Sequence, residues 1–135
     1  MIISLVKVNY LFVLFTSITV LILGFLWYSP LLFGNIWIKL QEKRKEDIKA
    51  SSLTFIIAPL TSLMSTWIIA LLLTIPNELT IVSSLIISIL VGLFTSIKIG
   101  MNHLFESRPF PYYLITIGYH LVSCVITGFI FGLIT

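Results

Sequence analysis

His103, Glu106 and His120 are the residues of this 135-residue chain whose types and positions suit acid–base or ligand chemistry. His103 and Glu106 stand three apart in Asn102-His103-Leu104-Phe105-Glu106, so a helix through them carries both on one face. His120 lies inside a long apolar run, and an ionisable residue at that depth of a membrane is by default a functional candidate. Its structural alternative is a neutral histidine held by a serine or a backbone carbonyl. For Glu106 the alternative is a surface pair with Arg108 or Lys98. His120 and Glu106, joined by Asn102, Tyr119 and Ser96, form the candidate set for handling a proton or a small polar solute.

Other chemistries find less support. His103, Glu106 and His120 are ligand types that suit zinc or iron. His120 is expected well below the other two, however, and the chain has no HExxH, clustered cysteines or paired carboxylates. No metal or cofactor is assigned. There is no GxSxG and no evident base beside a serine, so no catalytic residue is assigned either. Cys124 has no second cysteine to pair with and reads as a small packing residue.

The elements that must position these residues follow from composition. Apolar residues make up 59% of the chain and charged ones 10%, against roughly 45–50% and about 25% in soluble domains. A hydrocarbon core about 30 Å thick needs about 20 apolar residues per helix, and four runs supply them: Val8 to Tyr28, Leu53 to Ile75, Ile81 to Ile97 and Tyr112 to Ile134. They are continuously apolar rather than alternating, which excludes barrel strands. The expected fold is an all-α membrane protein, a single four-helix domain over 1–135 with spans at 8–29, 52–75, 79–101 and 111–134. A short interfacial amphipathic helix follows the first span, where Ile36, Trp37, Leu40 and Ile48 are interleaved with charge. The first run is longer than a secretory h-region and ends in Trp27, Tyr28 and Pro30 instead of small residues, so it reads as a retained helix.

Charge orients the chain. Lys39, Lys43, Arg44, Lys45 and Lys49 fall in the connection 30–51, and Lys98 and Arg108 flank the connection 102–110. Lys7 alone lies on the other side, and Pro76-Asn77-Glu78 carries no basic residue. Positive-inside bias puts both long connections in the cytoplasm and both termini outside. The partner implied is the lipid bilayer. Nucleic acid does not suit a basic surface interrupted by Glu42, Glu46 and Asp47.

Local signals refine the spans. Helix one should stop near Ser29-Pro30, with Trp27, Tyr28, Phe33 and Trp37 as an aromatic belt at the cytoplasmic boundary. Ser51 or Ser52 can cap the second span, Pro59 within it predicts a kink or a freed carbonyl, and Pro111 suits the start of the fourth. Ser84, Ser88, Gly92, Ser96 and Gly100 recur every four residues, as do Cys124, Gly128 and Gly132. Small residues so spaced let helices approach closely in lipid, either within the chain or between two copies. Hydroxyls at Thr16, Ser17, Thr19, Thr61, Ser62, Ser65, Thr66, Thr95 and Ser96 allow a polar seam through the bundle; the alternative is that each bonds to its own preceding turn.

The stretch GFLWYSPLLFG, Gly24 to Gly34 including Ser29 and Pro30, together with Trp37, resembles the first signature of a bacterial integral-membrane family, domain of unknown function 1761. Asn102 to Glu106, Gly118-Tyr119-His120 and the Gly128 to Leu133 region are similar to its second signature. Thr116 stands where that family's asparagine is expected. The resemblance implies a four-helix membrane protein and no activity. Two functions stay open. One is a transporter or channel-like component that moves protons or a small polar solute through a cytoplasm-facing cavity, preferably as a homodimer. The other is an accessory membrane protein that docks a partner through its basic loop.

Overall fold

A computed structural model describes residues 8–40 and 52–134. It contains α1 (Tyr10–Trp27), α2 (Gly34–Leu40), α3 (Ser52–Leu72), α4 (Ile81–Glu106) and α5 (Phe110–Leu133). Four of these, all but α2, are long and apolar enough to cross a membrane, with mean hydropathies of 1.9 to 2.2. The chain is a multi-pass, all-helical membrane protein with a short helix after its first span. Lys7, Lys43, Arg44, Lys45, Lys49 and Ser51, with the acidic residues among them and Ile48, lie outside the described residues.

Helix ends follow the local chemistry. Asn9 caps α1 by accepting from Phe12 N at 3.3 Å, and Thr80 with Ser83 forms a reciprocal capping box on α4. Pro59 sits inside a continuous α3; lacking an N–H, it leaves the Phe55 carbonyl without its helical donor. The helix α4 runs to Glu106, five residues beyond the boundary expected at 101. No proline or glycine interrupts Met101 to Glu106, and the stop comes at Ser107, which takes the left-handed conformation (φ 56°) and donates its N–H to His103 O. Asn102 to Glu106 therefore belong to a helix and not to a connection. At about 1.5 Å per residue this 26-residue helix is about 39 Å long, more than a hydrocarbon core of about 30 Å. Its polar last turn has the reach to stand at the membrane boundary.

The helices pack chiefly as neighbours in the order α3, α1, α5, α4, with α2 laid against α5. The tightest pairing is α4 with α5, and the two small-residue columns meet there. A Cβ on Gly128 would lie 2.8 Å from Ser88 Cβ and 2.9 Å from Ser84 O, and one on Gly132 would lie 2.8 Å from Ile81 Cα. Cys124 packs at Gly92, and Ser84 Oγ donates to Gly128 O at 2.6 Å. The columns interlock within one chain. At the end away from α2, Val8, Val13, Ile69, Ala70, Leu73, Cys124 and Phe131 make the apolar core. Only 22–28% of each span's most apolar window is buried, which leaves most of the side-chain surface for lipid.

Gly128→Leu is expected to force α4 and α5 apart and to cost about 1–3 kcal/mol, read as a lower melting temperature in detergent. Ile97→Ala, at a position 67% exposed, should leave the melt unchanged.

Candidate functional site

The end of the bundle that carries α2 is built from aromatic side chains seated on glycines. The indole of Trp27 leaves α1 and lies on α5, where Nε1 donates to Ile115 O at 2.9 Å and the ring covers Gly118; a Cβ there would be 2.8 Å from Trp27 Cζ2. Tyr119 makes the reverse contact, with its ring over Gly24 of α1 and its hydroxyl donating to Val20 O at 3.3 Å. The two motifs are thus the two halves of one joint.

The turn after α1 holds this joint and hangs α2 from it. Ser29 Oγ donates to Leu26 O at 2.7 Å, while Ser29 O accepts from Leu32 N and Gly34 N and Trp27 O accepts from Phe33 N. Pro30 follows the end of α1 at this turn. Gly34 starts α2 where a Cβ would overlap the Tyr28 carbonyl oxygen. Phe33 packs on Trp27 with ring centroids 4.7 Å apart, Tyr28 on Trp37 at 4.9 Å and Tyr28 on Tyr119 at 5.9 Å; Trp37 stacks on Tyr112 at 6.3 Å and 12°. The expected belt residues face one another across helices. Mutual contact fills space that lipid headgroups would otherwise occupy.

Beside this cluster, α4 and α5 enclose a small open groove of about 140 Å³. From α4 come Ile99, Asn102, His103 and Glu106, spaced as one helix face; from α5 come Tyr112, Tyr113 and Thr116. The Tyr113 hydroxyl donates to Ser96 O at 2.9 Å and sits on Gly100, and its ring lies 5.3 Å from that of His103. Thr116 Oγ1 donates to Tyr112 O at 3.0 Å. His103 Nδ1 is buried without a hydrogen-bond partner. At the lip, Arg108 Nε donates to Glu106 Oε2 at 3.2 Å, and its guanidinium lies 4.9 Å over the Tyr112 ring.

Of the candidate set, Asn102 and Glu106 come together in this groove, and Ser96 touches it through the carbonyl that holds Tyr113. Tyr119 is engaged in the joint with α1. His120 stands one helical turn beyond Thr116, against Tyr119 at 5.1 Å. Its neighbours Leu121 and Cys124 pack at Gly92, which sets it deeper than Ser96 and away from Glu106. Glu106 makes the surface pair with Arg108, worth at most about 1 kcal/mol when exposed. Among the described residues no three His, Cys, Asp or Glu side chains converge.

The hydroxyl residues settle mainly for their own helices. Ser17, Ser96, Ser123 and Thr127 donate to carbonyls three or four residues back, whereas Ser62 reaches Ser17 O at 2.7 Å and Ser84 reaches Gly128 O. Thr16 and Ser88 have no hydrogen-bond partner, and among the described residues no buried hydroxyl donates to another. Sequence reasoning missed Tyr112 and Tyr113 as groove walls. The available signal was their spacing to Thr116, which places all three within one turn of a face.

Gly118→Val is expected to lower the detergent melting temperature, at a cost of about 1–3 kcal/mol. Combining it with Trp27→Ala should cost less than the sum of the two single changes, because the truncation removes the ring that the valine strikes. Strict additivity in that cycle would contradict the joint.

Residues 11–132 match the family described as "Protein of unknown function (DUF1761)". No curated protein and no solved structure matches the chain. The match spans both halves of the aromatic joint and the whole groove, and the chain belongs to the DUF1761 family.

Proposed function

We propose that this protein is a transport component that takes up protons or a small polar solute from the cytoplasm through the groove between the end of α4 and the start of α5. The observation that carries this reading is the clustering of Asn102, His103 and Glu106 on one helix face opposite Tyr112, Tyr113 and Thr116, at the end of a helix longer than the hydrocarbon core. A groove of about 140 Å³ has room for a few waters or a solute of a few heavy atoms, each water taking about 30 Å³. Lys39, Lys98 and Arg108 share this end, and positive-inside bias favours the cytoplasm for it.

Among the described residues the buried hydroxyls do not link to one another: Ser17, Ser96, Ser123 and Thr127 donate to their own helices, Ser62 and Ser84 donate to carbonyls of neighbouring helices, and Thr16 and Ser88 have no partner. The reading therefore takes the chain as one four-helix unit that works as a homodimer, with the path between copies. Glu106 receives the solute or proton first. His120, deeper on the same α5 face as Thr116, relays it.

A second reading, an accessory protein that docks a partner through its basic loop, draws on a different observation. Trp27, Tyr28, Phe33, Trp37 and Tyr119 are all engaged in helix contacts, as expected of a scaffold.

Reconstituted vesicles carrying a pH-sensitive dye discriminate between the two. Wild type should dissipate an imposed proton or cation gradient, Glu106→Gln should slow it at least about tenfold, and His120→Ala should slow it comparably, matching the loss of a proton-handling group. Wild-type flux no greater than that of empty vesicles would reject transport. Recovery of a stoichiometric partner by mild-detergent pulldown, lost on neutralising Lys43, Arg44 and Lys45, would then favour the scaffold.

A further inference from the structure

The lip of the groove already holds a cation, and the cation belongs to the chain. Arg108 donates Nε to Glu106 Oε2 at 3.2 Å and lays its guanidinium 4.9 Å over the face of Tyr112. A carboxylate beside an aromatic face is the pairing that attracts guanidinium and ammonium groups, through charge and through the ring quadrupole. Both halves of that pairing are walls of the groove, since Glu106 and Tyr112 line it. The wall between them carries His103, whose Nδ1 is buried and makes no hydrogen bond. Asn102 adds an amide oxygen on the same face. Acceptors, an anionic group and π faces line this groove, while the basic side chain stands at its edge.

We infer that the groove is a recognition site for a small organic cation of the guanidinium or primary-amine class, and that Arg108 is a built-in competitor which covers the site when no ligand is present. The ligand's N–H groups meet the Glu106 carboxylate and the Asn102 amide oxygen, and its charge lies against Tyr112 in place of the Arg108 guanidinium. Displacement is easy because the pair is open to water: side-chain exposure is 28% for Arg108 and 55% for Glu106, and exposed pairs hold weakly. Arg108 follows Ser107, the left-handed stop of α4, and precedes Pro109 at the start of α5. It can swing away without disturbing either helix. The groove, about 140 Å³ and open on one side, accommodates a small cation.

This inference rests on the groove being the site of the proposed transport, and the test keeps the two apart. Purified protein in a neutral detergent is titrated with methylguanidinium and, separately, methylammonium at constant ionic strength, with potassium and acetate as controls. Binding is read by calorimetry and by Trp37 fluorescence, since Trp37 stacks on Tyr112. The expected result is saturable binding of the organic cations and none of acetate or potassium. Glu106→Gln should abolish it, and Arg108→Gln should tighten it about fivefold, the gain expected when a weak competing pair is removed. Melting curves establish that both variants remain folded. Arg108→Gln that weakens binding, or organic cations that bind no better than potassium, would overturn the inference. Proton flux in vesicles without organic-cation binding leaves transport standing and rejects this ligand. Binding without any flux does the reverse.

Discussion

Lipid gives helices no hydrophobic reason to associate, so contacts within a membrane bundle depend on how closely backbones can approach. In this chain that constraint is met by glycine and serine on one helix accepting a carbonyl, a ridge or an aromatic ring from another. Gly128 and Gly132 let α5 lie on Ser84, Ser88 and Ile81 of α4. Gly118 receives Trp27, and Gly24 receives Tyr119. The first pair of contacts closes the hairpin and the second fastens it to α1. The groove follows from both, because its walls are the last turns of α4 and the first turns of α5 held in register by Tyr113 on Gly100 and Ser96.

The division of labour along the bundle is physical. Away from α2, the buried core is mainly aliphatic, around Val13, Ile69 and Phe131, and a second open pocket of about 240 Å³ lies beside it against Val8, Leu73 and Phe131. Toward α2, aromatic rings with polar tips take over, and Trp27, Tyr113 and Tyr119 donate to backbone carbonyls of another element, at Ile115, Ser96 and Val20. Amphipathic rings are suited to a depth where one end meets hydrocarbon and the other meets water. Ionisable residues can be kept near such a surface at far lower cost than in mid-bilayer, and Glu106, His103 and Arg108 sit on this side.

Much of this was legible in the residues. Length and hydropathy specify the four spans, and the four-residue recurrence of Ser84 to Gly100 and Cys124 to Gly132 points to the ridges that meet. What remained hidden was pairing across distance. Nothing local to Trp27 says that its indole lies on Gly118, because a glycine's lack of a side chain does not name the ring that fills the space. Glu106 was legible as a candidate, yet its helical setting depended on where α4 stops, and a left-handed serine is a weaker signal than glycine. His120 was read from its depth and from the Gly118-Tyr119-His120 motif. Depth cannot report direction, and Glu106 turns out to share its groove with Tyr112 and Thr116 while His120 lies a turn further in.

The central claim is that the groove faces the cytoplasm as an open site. It is tested most directly by thiol accessibility in a Cys124→Ala background, with a membrane-impermeant maleimide and a single cysteine introduced as Asn102→Cys. Labelling is expected in inverted membrane vesicles and protection in intact cells. Labelling in intact cells, or in neither preparation, would contradict it.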